Sequence, residues 1–118
     1  MAFSPTLAVR LEEALRTHPR AADVPLRSIK MMGALVFMVR GHMCCGVTGD
    51  NLMVRVGAEQ AQVLLTEPNV VPLDIGGNRA PGGFVCVEPD ALASDIDLSR
   101  WVAKGVAFVD TLPEREPF

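Results

Sequence analysis

Four consecutive residues, His42, Met43, Cys44 and Cys45, bring an imidazole, a thioether and two thiols into one short segment. Soft and borderline donors of this kind suit a transition metal, and a thiolate beside an imidazole suits nucleophilic or redox chemistry. Spacing argues against both. The segment reads as a strand, so His42 and Cys44 are expected on one face and Met43 and Cys45 on the other. Adjacent strand thiols grip a single ion poorly, and Cys-x-x-Cys spacing is absent. The expectation is one inward cysteine acting as a small hydrophobe and one half-exposed, both reduced and metal-free. Cys86, in an apolar strand, is expected in the core. A cysteine nucleophile would need a histidine base, and only His18 and His42 exist, neither with an identifiable orienting carboxylate.

Three cations could hold a partner or an anion: Lys30, Arg55 and Arg79. Arg79 lies in the glycine-rich loop 76–83, whose backbone N–H groups could cradle an anion. That loop lacks the Gly-x-x-x-x-Gly-Lys-Ser/Thr order of a phosphate loop, and no strong helix follows it directly. Arg55 sits between Val54 and Val56, which point inward, so its guanidinium is expected on the opposite face beside Met53. An arginine next to an adaptable apolar residue suits an interface. The alternative is an intramolecular pair with an acid from the C-terminal half. Asp95 and Asp97 resemble a carboxylate pair, but at a helix start they complement the macrodipole without any catalytic role.

The elements that position these residues follow from periodicity. Ser4-Pro5 is an N-cap with proline at the first helical position, and Leu7, Leu11, Ala14 and Leu15 form one apolar stripe ending near Thr17. Strands are expected over 26–31, 35–39, 42–48 and 51–56, with turns at Arg40-Gly41 and Gly49-Asp50; this is an antiparallel meander. A short helix over 58–66 buries Ala61, Leu64 and Leu65, and Pro68 ends it. A strand over 70–75, the glycine loop and a strand over 84–87 come next. Ser94, with Asp97 three residues on, opens the clearest helix. Its stripe is Leu98, Trp101, Val102, Gly105, Val106, Val109 and Leu112, and Pro113 stops it. The order α-β-β-β-β-α-β-β-α is an α+β fold rather than a doubly wound sheet. Residues 1–113 form one domain, with 114–118 a frayed tail.

Composition narrows the function. The 118 residues suit a single domain with a core that needs no disulfide or metal staple. An odd cysteine count with vicinal members points to a reducing compartment. No signal peptide is visible, and the longest apolar run falls far short of the ~20 residues of a spanning helix, so the expectation is a soluble cytoplasmic protein. Net charge is −3, with the basic excess in residues 1–40. One tryptophan, no tyrosine and a pI near 5.3 argue against direct nucleic-acid binding.

One ordered set of motifs adds a resemblance. Lys30-Met31-Met32-Gly33-Ala34-Leu35-Val36-Phe37 leads into Gly41-His42-Met43-Cys44-Cys45-Gly46-Val47, then Leu52-Met53-Val54-Arg55-Val56-Gly57. Pro68-Asn69-Val70, Leu73-Asp74, Gly83-Phe84-Val85 and the closing Trp101-Val102 helix with Leu112-Pro113 follow. Together, over roughly residues 5 to 113, they resemble the N-terminal domain of the TfoX/Sxy family of bacterial competence regulators. Met32 stands where that family has phenylalanine, Ala34 where it has a second glycine, and Asn78 interrupts its Gly-Arg-Pro order. The chain reads as a stand-alone domain without the family's C-terminal domain. The resemblance implies a small α+β fold related to secretion-chaperone-like folds. It also implies a regulatory, non-enzymatic role through protein partners in transcriptional control. The expected function is therefore an interaction module without a cofactor, using a sheet face or edge with Lys30, Arg55 and Arg79. Two alternatives stand beside it: an anion or small-molecule sensor at the glycine loop and Arg79, and a thiol-dependent enzyme or metal site at Cys44-Cys45.

Overall fold

The computed structural model describes residues 3–22, 26–31, 33–75, 78–79 and 83–113. The expected tail, 114–118, lies outside them. Helix α1 (Pro5–Thr17) starts where expected: Ser4 is the N-cap and its Oγ accepts the Leu7 N–H at 3.2 Å. Its stripe of Leu7, Ala8, Leu11 and Leu15 is buried. Four strands then run as the meander predicted: β1 (Leu26–Met31), β2 (Ala34–Val39), β3 (His42–Thr48) and β4 (Asn51–Arg55). Between β2 and β3, Arg40 and Gly41 both take positive φ, 56° and 83°, the geometry that matches a two-residue turn to the strand twist.

After the meander come α2 (Ala58–Leu64), β5 (Val70–Pro72), β6 (Asp74–Ile75), β7 (Asn78–Arg79), β8 (Phe84–Val87) and α3 (Asp95–Val109). Antiparallel pairing orders the main sheet β1-β2-β3-β4-β8-β5, so β8 slots between β4 and β5, while β6 and β7 form a separate two-stranded ladder. The glycine loop was expected to hold no strand; that small ladder uses its Asn78 and Arg79. Ser94 caps α3 by accepting the Asp97 N–H, and the predicted stripe is buried from Leu98 to Val109, Trp101 included, whereas its expected last member, Leu112, lies past the helix end and is only partly buried. Helix α2 departs from expectation at its end. It stops at Leu64, leaving Leu65 36% exposed and Val63 60% exposed. Among the described residues no helix is long and apolar enough to cross a membrane.

Both faces of the sheet are apolar. The helix-covered face joins Phe37, Val39, Leu52, Val54, Val85 and Val87 to the stripes of α1 and α3. On the other face, Ala34, Val36, Met38, Met53, Leu73 and Cys86 form a second buried cluster. Arg10 ties the helices together, donating to the Leu92 carbonyl at 2.9 Å and pairing with Asp95 at 3.3 Å. At the far end of α3, the Asp110 carboxylate holds both Arg20 and Arg40, and the His42 Nε2–H donates to the Pro113 carbonyl. Two cations there offset an acid placed at the end of the helix where the macrodipole disfavours it.

Two glycines mark close approaches. A Cβ on Gly105 of α3 would lie 3.1 Å from the Cys44 carbonyl oxygen and 3.3 Å from its Sγ, so this helix rests almost directly on β3. At Gly46 a Cβ would come within 2.5 Å of the Leu35 carbonyl oxygen, a backbone atom that can retreat only by moving β2. Gly46→Ala is therefore expected to destabilise the domain by about 1–3 kcal/mol, as overpacked cores do. Urea unfolding checks this, with a lowered midpoint at unchanged slope. A variant as stable as the parent would show that the β2–β3 contact relaxes freely.

Candidate functional site

Strand β3 does not alternate as its sequence suggests. Phe37 pairs with Cys45 but Met38 pairs with Met43, leaving Cys44 as an extra residue in a β-bulge. The bulge turns two successive side chains to one side. Cys44 and Cys45 both enter the helix-covered core with no exposed surface, whereas Met43 packs with the opposite cluster. The expected half-exposed thiol is thus corrected: neither cysteine of the pair reaches solvent. The Cys45 thiol is held well above its usual pKa, first by the side-chain hydrogen bond with Cys44, then by burial and by the charge a Cys44 thiolate would carry. Burial alone pushes Cys86 up to about 11. His42 is itself buried and committed to Pro113. Among the described residues, no three His, Cys, Asp or Glu side chains converge as a metal site would need.

The three cations singled out from the sequence occupy different places. Arg55, the last residue of β4, is half-buried. Its guanidinium carbon lies 5.8 Å from the Phe84 ring centroid and 5.5 Å from that of Phe108, and Nη1 reaches the Met43 carbonyl at 3.4 Å. No carboxylate pairs with it among the described residues, so aromatic faces fill the role expected of an acid. Met53, its expected companion at an interface, is only 1% exposed. Lys30 is exposed on β1, opposite Leu35, and alternation puts it on the other face of the sheet from Arg55. Arg79 stands on the separate β6–β7 ladder, where its backbone pairs with Asp74; most of the glycine loop lies outside the described residues.

Two further surfaces stand out, the first expected from the sequence as a sheet edge with Lys30 and the second not. One is the free edge of β1: it ends the sheet, no described strand pairs with its outer side, and Ser28, Lys30 and Met31 are exposed along it. The other is an apolar groove of 310 Å³ between α2 and α3, lined by Val56, Gln60, Leu64, Lys104, Ala107 and Phe108. The available signal was the apolar excess of α2 and its C-cap, where Ala61, Val63, Leu64 and Leu65 are too many for one buried stripe.

Two outcomes follow from this geometry. Iodoacetamide at pH 8 should label native Cys45 and Cys86 at least ~100-fold more slowly than the unfolded chain, because a raised pKa and burial both remove reactive thiolate. Rapid native labelling at either position would place that thiol at the surface. Arg55→Ala should cost about 1–2 kcal/mol through loss of two ring contacts and a carbonyl contact. A thermal melt unchanged by the substitution would mean that the stack contributes nothing to folding.

The chain was compared with known proteins against this background of an open antiparallel sheet, helices on one face and sealed thiols. No curated protein and no solved structure matches it significantly. The family model for the TfoX N-terminal domain matches residues 21–109, from the segment after α1 through the last residue of α3. With most of its length covered, the chain belongs to the TfoX N-terminal domain family.

Proposed function

We infer that this domain is a non-enzymatic, cytoplasmic interaction module that engages another protein in transcriptional control. The observation that carries the reading is the free edge of β1. An edge strand offers a row of backbone donors and acceptors to an extended segment, and side chains along it select the partner. Lys30 is an exposed cation on that edge, with Arg27 exposed on the same strand, so an acidic extended segment is the matching partner. Lysine on an edge also discourages pairing with a second basic strand, which favours a heterologous partner over self-association. The family supports a regulatory role, and thiols sealed in the core leave the thiol-enzyme alternative without an accessible nucleophile.

The test is to capture partners of the whole chain from its host and measure affinity for the strongest. Lys30→Glu should weaken that partner about tenfold, near 1.4 kcal/mol, while leaving the melting temperature unchanged. Binding indifferent to Lys30 and Ser28 substitutions, or capture of nucleic acid in place of protein, would refute the reading.

A further inference from the structure

Most arginines of the chain whose side chains are described are committed to carboxylates. Arg10 pairs with Asp95, Arg16 with Glu12, and Arg20 and Arg40 with Asp110. Arg100 and Lys104 differ. Both are exposed on α3, one helical turn or ~6 Å apart, and neither closes an ion pair among the described residues. The Lys104 ammonium instead rests 5.9 Å from the Trp101 ring centroid. Glu67 and Asp97 line the adjoining 330 Å³ hollow with both cations, yet no ion pair forms there. The flank therefore carries a stripe of two cations that share it with two carboxylates, Glu67 and Asp97, but close no ion pair with them.

The stripe runs beside the α2–α3 groove, and Lys104 belongs to both hollows. Apolar side chains dominate the groove, and Lys104 is its one charged member. Val63, one turn along α2 from Gln60, extends the apolar surface outward with 60% exposure. An apolar trough between two helices with cations along one rim is the arrangement that receives an amphipathic helix, apolar face down and charged flank against the rim.

We propose that the α2–α3 groove docks an amphipathic helix of a partner protein, with carboxylates on the flank that meets Arg100 and Lys104. The complement is chemical: aliphatic side chains at helical spacing fill the trough over Leu64, Ala107 and Phe108, and acids one turn apart match the two cations. This surface is separate from the β1 edge, which ends the sheet on the other side of the meander, so either can fail without the other.

Two synthetic helical peptides of about 16 residues, with the same leucine stripe but glutamates or lysines on the flank, supply the probe. Each is titrated into the whole chain and followed by amide NMR shifts and by fluorescence of the single tryptophan. The glutamate peptide should bind at least about tenfold more tightly than the lysine peptide, with shifts centred on Gln60, Leu64, Ala107 and Phe108. Lys104→Glu should reverse that preference, and Ala107→Arg, at an exposed helix position, should abolish binding of both. The reversal is read between two peptides on one variant, so altered stability cannot imitate it. No binding at millimolar peptide, equal affinity for both, or shifts mapping to β1 would overturn the proposal. So would octanoate occupying the groove while the glutamate peptide does not.

Discussion

The fold depends on how closely α3 lies on β3. A helix normally stands off a sheet by the length of its side chains, but Gly105 removes one at the point of contact and lets the helix settle onto the Cys44 carbonyl. The β3 bulge makes the arrangement possible from the other side. By inserting Cys44 as an extra residue it points two small thiols, rather than one, into the space beneath the helix. Small volumes meet there from both directions, and the larger members of the stripe, Leu98, Trp101 and Val109, then pack around that seat. A pair of cysteines that looks reactive in the sequence thus fills space in the core.

Much of the architecture was legible because period and punctuation agree. Ser4-Pro5 and Ser94 announce helix starts whose capping hydrogen bonds form, and the turns at Arg40-Gly41 and Gly49-Asp50 mark strand boundaries. The bulge was not legible for a physical reason. Every residue from His42 to Val47 can be buried, so no polar side chain marks the point where alternation slips by one. The second buried face was hidden differently. An antiparallel sheet is expected to alternate, yet β2 is apolar throughout, the pattern of a strand covered on both sides. Read that way, Met53 belongs to an interior from the outset.

Candidate residues were less legible than elements, because their partners come from distant parts of the chain. Arg55 stands out in the sequence as a polar residue among valines, but its contacts, Phe84 and Phe108, sit on β8 and α3. Phenylalanines in apolar runs give no warning that they will flank a cation. The α2–α3 groove is likewise a product of tertiary packing: Val56, Gln60 and Leu64 meet Ala107 and Phe108 only once α2 has folded back beside α3. Lys30 needed no such assembly, since an exposed lysine at a sheet edge is a local property of its strand.

The position of β8 carries a consequence for how the chain assembles. The four meander strands contact their neighbours in sequence and can collapse early, since short loops cost little entropy to close. That meander lacks its final neighbour: the outer side of β4 pairs with β8, which follows α2, β5 and the β6–β7 ladder. Until Phe84–Val87 arrives, a nascent chain displays β4 as an unguarded strand of Leu52, Met53 and Val54, the composition that recruits other copies during synthesis. Closure by β8 is therefore the step at which this domain becomes safe from its own hydrophobic edge, and β5, bearing Pro72, then caps the sheet with a strand ill-suited to further pairing.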